Sequence, residues 1–513
     1  MTIPELLEKR AKEMGRRPYL FFEDQEITYE DFNNYANRVA HGLSQLGIKK
    51  GDKVCIYLTN RPEFLYFWFG VNKIGATLVP INTLLKEEEL KYIVDHSDAK
   101  VILSAPPQLN TLLNIRKECK LLENVISISD ESVPDTISFW EWIKDFPSTN
   151  PEVEVAEDDL ASIMYTSGTT ARPKGVMLTH FSYIAAAKSF CEITKLTPED
   201  RMFMVLALFH INAQTYSTLA SLMSGAQLVG VSKFSTSRYW DQVKRYGVTE
   251  IQLLLGPLAM LLNMPERKEE KEHKVRLAVG AFTKEMYDAV KKRFNIPQIC
   301  TGWSQTECPL CILIPPDREY KPGLMGRPRK EDNMEAKIVD EKDREVSRGT
   351  TGELIIKCPA VMKGYYKNPE ETARALRNGW LHTGDNCYQD ENGDFYFVDR
   401  LKDTIRRSGE LISSLEVESV LRSHPKVADA AVIPVPDKIR IEEVKACIVL
   451  KEGEKLSPEE IVEYCEKKLA SFKVPRYIEF RDNLPKTATG RTRKFLLRQE
   501  KDLTACWDRQ AQA

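Results

Sequence analysis

Apolar positions recur along this chain with two periods, and the alternation between them organises its N-terminal part. Phe32, Tyr35, Val39, Leu43 and Leu46 stand at helical spacing behind Thr28. The Thr28 hydroxyl, with Asp31 three residues on, predicts a capped helix start, and Gly47 closes the segment. A short apolar strand at Val54–Leu58 comes next, then a helix from Pro62 to Ile74 and a second strand at Thr77–Ile81. Glu87–His96 and Val101–Leu103 repeat the unit. A strand–helix–strand rhythm of this kind predicts a mainly parallel sheet covered by helices.

From 104 to 158 the periodicity weakens, and that stretch reads as a connection between two subdomains. Leu160–Tyr165 then reads as a buried strand, Val176–Leu178 as another, Phe181–Ile193 as a helix and Arg201–Leu208 as a further strand. Beyond about 400 the pattern changes. Strands at Ala428–Val435 and Val444–Leu450 precede a helix capped by Ser457, with Pro458 at its first position and Glu460 completing the cap. The expected class is α/β: a large N-terminal domain over 1–400 and a small α+β domain over 401–513.

Composition narrows the partners. Seventy-three basic and 75 acidic residues give a formal charge of −2, so no global field recruits nucleic acid or anionic lipid. The longest apolar runs, Phe64–Val71 and Phe203–Phe209, are too short for a transmembrane segment, and Met1-Thr-Ile-Pro-Glu-Leu lacks the pattern of a secretion signal. Eleven scattered cysteines suit a reducing compartment, so a cytoplasmic location is expected. Cys308-Pro-Leu-Cys311 has metal-ligand spacing but no complementary pair.

The chemistry concentrates in Tyr165-Thr-Ser-Gly-Thr-Thr-Ala-Arg-Pro-Lys-Gly175, a loop between two strands. Thr166, Ser167, Thr169 and Thr170 offer hydroxyls, Gly168 and Gly175 allow close backbone approach, and Lys174 supplies a mobile cation, a composition that suits a polyphosphate. Pro173 stands where a Walker A loop has its second glycine, so that reading fails. By composition alone the loop is also readable as an ordinary turn.

The loop resembles the phosphate-loop signature of the adenylate-forming superfamily of acyl-CoA synthetases, adenylation domains and luciferases. Similar blocks follow in the family's order at Thr301–Glu307, Gly379–Asp385, Asp399–Glu410 and Pro485–Gly490. The resemblance implies two similar α/β subdomains, a distorted β-barrel and a mobile lid domain. It implies ATP, Mg2+ and coenzyme A as participants, a small carboxylic acid as substrate, and leaves a homodimer open.

Residue by residue, Thr306 would meet the α-phosphate and Glu307 would hold Mg2+, while Trp303 would stack on adenine beside Gly280 and Ala281. Asp385 and Arg400 would take the ribose hydroxyls, Lys402 would be the hinge, and Gly409 and Glu410 would face the CoA tunnel. His210, in Phe209-His-Ile-Asn-Ala-Gln214, would line the acyl pocket, with a structural histidine as the other reading. The segments around Phe209, Phe234–Trp240 and Pro436–Ala446 are most similar to the crotonobetaine/carnitine-CoA ligase branch and its short- and medium-chain relatives.

Two positions depart from the family's pattern. Ala171 replaces a glycine, and Arg491 stands where the family has its adenylation lysine. A planar guanidinium is not equivalent to an ammonium at an active-site position. Lys486 and Lys494 are the nearby lysines that could substitute, and a nucleotide-binding homologue with impaired catalysis is the competing reading. Acyl transfer to a carrier protein is the third.

Overall fold

The alternating strands and helices build two mixed sheets of eight strands each. This computed structural model describes residues 1–129, 131–166, 173–401, 403–407, 410–437, 440–469, 471–486, 490, 492–500 and 502–511. Ser167, Gly168, Thr169, Thr170, Ala171, Lys402, Gly409 and Arg491, together with the Glu410 side chain, lie outside the described residues.

In one sheet, Gln298–Gln305, Leu277–Gly280, Glu250–Leu253, Arg201–Met204, Gln227–Gly230 and Pro18–Phe22 are parallel neighbours. Cys308–Leu313 and Gln25–Thr28 close its two ends antiparallel. In the other, Leu160–Thr166, Thr77–Pro80, Lys53–Tyr57, Ala99–Ser104, Asn124–Ser127 and Ile137–Ser138 run parallel. Lys174–Thr179 and then Gly364–Tyr365 extend its end antiparallel. The helix Tyr29–Gln45 carries the Thr28–Asp31 capping box, and Pro62–Lys73 is buried along its whole length, with the apolar run Phe64–Val71 at its centre.

Two segments differ from their sequence reading. The stretch 104–158 adds two strands to the second sheet and helices at Gln108–Ile115 and Phe139–Ile143; short elements with polar flanks leave little periodic signal. The strand from Arg201 ends at Met204, because Asn60 takes over the bonding that a sheet partner would supply. Its Nδ2 donates to Leu206 O (2.9 Å) and its Oδ1 accepts from Leu208 N (2.8 Å).

By its contacts the chain divides into Met1–Glu335 with Lys357–Leu381, and Ala336–Ile356 with His382–Ala513. The sequence boundary at 400/401 therefore falls inside the second unit. The reason is local: Asp399 Oδ2 accepts from Ser414 N and Oγ (both 2.6 Å), and Ser413 Oγ donates to Val398 O (2.8 Å), which binds the strand Phe395–Arg400 to the helix Ser414–Arg422. Most of Glu335–Val339, Gly352–Lys357, Leu381–Gln389 and Phe395–Arg400 falls in that unit; the four are consecutive neighbours in one sheet, the last two antiparallel. The unit also holds a core of Ile405, Val417, Val432, Ile448, Ile461 and Cys465, and the Ser457–Glu460 capping box appears as read.

Glu250 is a cost built into the first unit. Its side chain is fully buried and neither carboxylate oxygen has a hydrogen-bond partner. Burial, and then the nearby Asp200, push its carboxyl well above the ordinary range. The unfolded chain gives up this proton at lower pH than the folded one, so stability falls as pH rises above the ordinary carboxylate range. Glu250→Leu is expected to stabilise the protein by about 1–3 kcal/mol at neutral pH. Thermal scans at pH 5.5 and 7.5 check this: the gain should be larger at the higher pH, and an equal or smaller gain there refutes it.

Candidate functional site

Two hairpins at the antiparallel ends of the two sheets carry the predicted phosphate and metal residues. The first pairs Leu160–Thr166 with Lys174–Thr179, in a register that sets Thr166 opposite Lys174 and Tyr165 opposite Gly175. The base of the loop is fixed from outside, by Tyr92 Oη donating to Pro173 O (3.3 Å) and by the contact of Tyr165 Oη with His96 Nδ1 (2.7 Å). The second pairs Gln298–Gln305 with Cys308–Leu313, opposing Trp303 to Ile312 and Gln305 to Cys308 across a register shift. That shift puts Thr306 and Glu307 at the turn.

A third segment joins the two hairpins. Met362 N donates to Glu307 O (2.9 Å), Lys363 N to Met177 O (2.9 Å) and Tyr366 N to Gly175 O (2.7 Å), while Gly364 and Tyr365 pair with Met177 and Val176. Side chains follow the same route. Tyr365 Oη donates to Glu307 Oε1 (2.9 Å), and Lys174 Nζ lies 5.0 Å from the centroid of the Tyr365 ring. Lys174 also forms a close ion pair with Glu371, which is bonded in turn to Arg374. The hydrogen bond from Lys174 holds the Glu371 carboxyl below the ordinary carboxylate range. The loop lysine and the turn glutamate thus belong to one connected group.

Trp303 is 7 % exposed, on the strand leading into that turn. Gly280 ends the neighbouring strand Leu277–Gly280, with Ala281 the next residue. A Cβ at position 280 would come within 2.0 Å of Leu253 O, so any side chain there would force the two strands apart. His210 is half-buried, its ring 4.6 Å from that of Phe209, just ahead of a buried π-helix at Ala213–Leu219. Gln214, in that helix, bonds Tyr183 Oη (2.6 Å) and Leu208 O (2.7 Å), fixing the segment that follows His210.

Asp385 and Arg400 lie in the second unit. They oppose each other across adjacent strands, and Arg400 Nε contacts Asp385 Oδ1 at 2.8 Å. The strand segment before Asp385 is held by Glu353, whose carboxylate accepts from Gly384 N (3.0 Å) and contacts His382 Nδ1 (2.9 Å). Gly384 needs its missing Cβ here, at φ +69. The two lysines considered as substitutes for Arg491 are committed within the same unit. Lys486 pairs closely with Asp429, and Lys494 Nζ lies 2.6 Å from both Glu418 Oε1 and Ser414 Oγ.

Tyr365, Glu371 and Glu353 escaped the sequence reading. For Glu371 a signal existed: Asn368-Pro369-Glu370-Glu371 is a helix start, and Asn368 Oδ1 accepts from Glu371 N (3.1 Å). Tyr365 carried only the adjacent glycine, Gly364, at φ +137.

No group of three or more His, Cys, Asp or Glu side chains able to hold a metal occurs among the described residues. Cys308 instead has its Sγ 3.6 Å from that of Cys358. A single carboxylate such as Glu307 fits Mg2+ only when phosphate oxygens and water complete the shell, which is the usual arrangement for Mg2+ with a nucleotide. No described helix is long and apolar enough to cross a membrane.

Comparison with known proteins gives a consistent picture. The family model "AMP-binding enzyme" matches residues 7–366, and "AMP-binding enzyme C-terminal domain" matches 416–491. A crotonobetaine/carnitine–CoA ligase of Citrobacter koseri is 36 % identical over 507 residues, covering 96 % of this chain and 97 % of the relative. The enzyme of the same name from Proteus mirabilis is 35 % identical over 504 residues, covering 94 % and 96 %. Among solved structures, an anthranilate CoA ligase in complex with anthranoyl-AMP superposes with a TM-score of 0.91 at 29 % identity, over 98 % of this chain and 97 % of the other. An O-succinylbenzoate coenzyme A synthetase of Bacillus subtilis, in complex with AMP, gives 0.85 at 29 % identity over 99 % and 100 %.

Proposed function

The chain belongs to the AMP-binding enzyme family, and from that premise we propose how its residues carry out the reaction and on which acids. The protein is an ATP-dependent acid–thiol ligase. It activates a carboxylic acid as acyl-AMP with release of pyrophosphate, then transfers the acyl group to coenzyme A. Activation is needed because a carboxylate oxygen is a poor leaving group, whereas AMP leaves readily.

The observation that carries the assignment of roles is the link from Lys174 through Tyr365 to Glu307. Lys174 neutralises the outer phosphates of ATP, together with donors from Thr166 to Thr170. Thr306 donates to the α-phosphate. Glu307 would hold a Mg2+ ion, which when bound would screen the phosphate charge that repels the carboxylate substrate. Trp303, Gly280 and Ala281 take the adenine, Asp385 and Arg400 the ribose, and His210 lines the acyl pocket. Arg491 is proposed as the cation that approaches during adenylation, with rotation about Lys402 bringing Gly409 and Glu410 to the thiol path. A lid domain over 401–513, a cytoplasmic location and a homodimer complete the proposal.

The acid is proposed to be short- to medium-chain or betaine-type, because the crotonobetaine/carnitine–CoA ligases are the relatives that match nearly end to end. Hydroxylamine trapping with ATP and Mg2+ across short, medium, aromatic and betaine-type acids tests this. Hydroxamate from one class, followed by thioester once CoA is added, is the expected result. ATP binding without hydroxamate from any acid would favour the non-catalytic homologue.

A further inference from the structure

We propose that Tyr365 is a positioning residue that sets the loop lysine and the metal-holding glutamate against each other, its hydroxyl orienting Glu307 and its ring seating Lys174. The inference rests on the roles proposed above for those two residues. Tyr365 has the geometry for both tasks at once: Oη lies 2.9 Å from Glu307 Oε1, and the ring centroid lies 5.0 Å from Lys174 Nζ.

Its backbone is held from two sides. Tyr365 pairs with Val176 on the hairpin that carries Lys174, and Tyr365 N donates to Thr372 Oγ1 (2.8 Å), which itself donates to Asn368 O (2.8 Å). At Gly364 a Cβ would meet Thr372 Cγ2 at 2.6 Å, so the strand and the following helix approach through that glycine. Only 9 % of the residue's surface is exposed, which leaves the ring little freedom. A carboxylate that is to meet a hard cation gains from a fixed donor on one oxygen, because the other oxygen is then presented in one direction. An ammonium over an aromatic face keeps its charge while losing positional freedom.

The two tasks separate by substitution. Tyr365→Phe keeps the ring under Lys174 and removes the hydroxyl that donates to Glu307. Tyr365→Leu removes both. The measurements are Mn2+ affinity in the presence of α,β-methylene-ATP, affinity for that analogue without metal, and pyrophosphate exchange with an accepted acid. Tyr365→Phe should weaken Mn2+ binding about 10–100-fold and leave metal-free nucleotide binding unchanged. Tyr365→Leu should weaken Mn2+ equally and metal-free nucleotide binding several-fold besides.

Tyr366→Phe is the control. Its hydroxyl donates to Asp98 Oδ2 (2.7 Å), so every readout should stay at the wild-type value. Melting temperatures within a few degrees of wild type certify that the variants fold. If wild type is active and Tyr365→Phe binds Mn2+ as wild type does, the positioning role is overturned while the ligase reading stands. If Tyr365→Leu matches Tyr365→Phe in metal-free binding, the seating of Lys174 is overturned. A wild type that binds no Mn2+ with the analogue overturns both the inference and the role given to Glu307.

Discussion

Glu307→Gln is expected to lower acid-dependent pyrophosphate exchange about 10²–10³-fold, the range seen when one preorganised stabiliser of developing charge is removed. Glutamine retains the shape, and its amide oxygen can still accept from Tyr365 Oη, so the hairpin turn at Thr306–Glu307 should persist. What is lost is the negative oxygen that a hard cation requires. A hundredfold loss corresponds to about 2.7 kcal/mol of transition-state stabilisation. The second half-reaction gives the decisive contrast. Attack of the CoA thiol on a chemically prepared acyl-AMP involves no pyrophosphate, and it should stay within a few-fold of wild type. Exchange within threefold of wild type, or equal losses in both half-reactions, would remove Glu307 from the metal role.

The sequence disclosed this site in pieces, and the pieces it disclosed were local. Strand–helix alternation appears in periods of two and 3.6 residues, so the helix Tyr29–Gln45 and the hairpin around the phosphate loop were legible. The end of the strand at Met204 was not. Asn60 supplies its hydrogen bonds from 146 and 148 positions away, and no window around Leu206 contains that information. The π-helix Ala213–Leu219 is buried on all sides, which erases the amphipathic pattern that would have marked it.

Site residues divide in the same way. Thr306 and Glu307 are identified by their own neighbours in sequence. Tyr365 becomes a candidate only because a strand of two residues, Gly364–Tyr365, docks on the strand beginning at Lys174. The contact division passes around 400/401 for a similar reason. The composition does change there, but Asp399 ties the preceding strand to Ser414 through two side-chain bonds that a linear pattern does not encode. How much of Arg491 can be replaced by another cation has a partial answer of the same type. Lys486 and Lys494 look available in the sequence, yet each already has an acidic partner in the fold.

Lys174→Met should raise the KM for ATP about tenfold and lower kcat for adenylation about 10–100-fold, with little change in stability. Methionine preserves the aliphatic stem and its packing, while the charge is removed. The stability expectation follows from exposure: Lys174 and Glu371 are 15 % and 21 % exposed, a partly hydrated pair, and Glu371 keeps Arg374 as a second cation. Pairs of this kind contribute about 0–1 kcal/mol. The kinetic expectation follows from position, because Lys174 stands opposite Thr166 at the mouth of the loop, where the outer phosphates of ATP would lie. AMP lacks those phosphates, so AMP affinity should remain at the wild-type value, and this contrast distinguishes a phosphate contact from general damage to the nucleotide site. Combining Lys174→Met with Glu307→Gln should cost less than the product of the single losses, since both residues act on the same triphosphate and are linked through Tyr365. Strict multiplication of the two effects, or an equal loss of AMP affinity, would show that Lys174 and Glu307 do not share a substrate group.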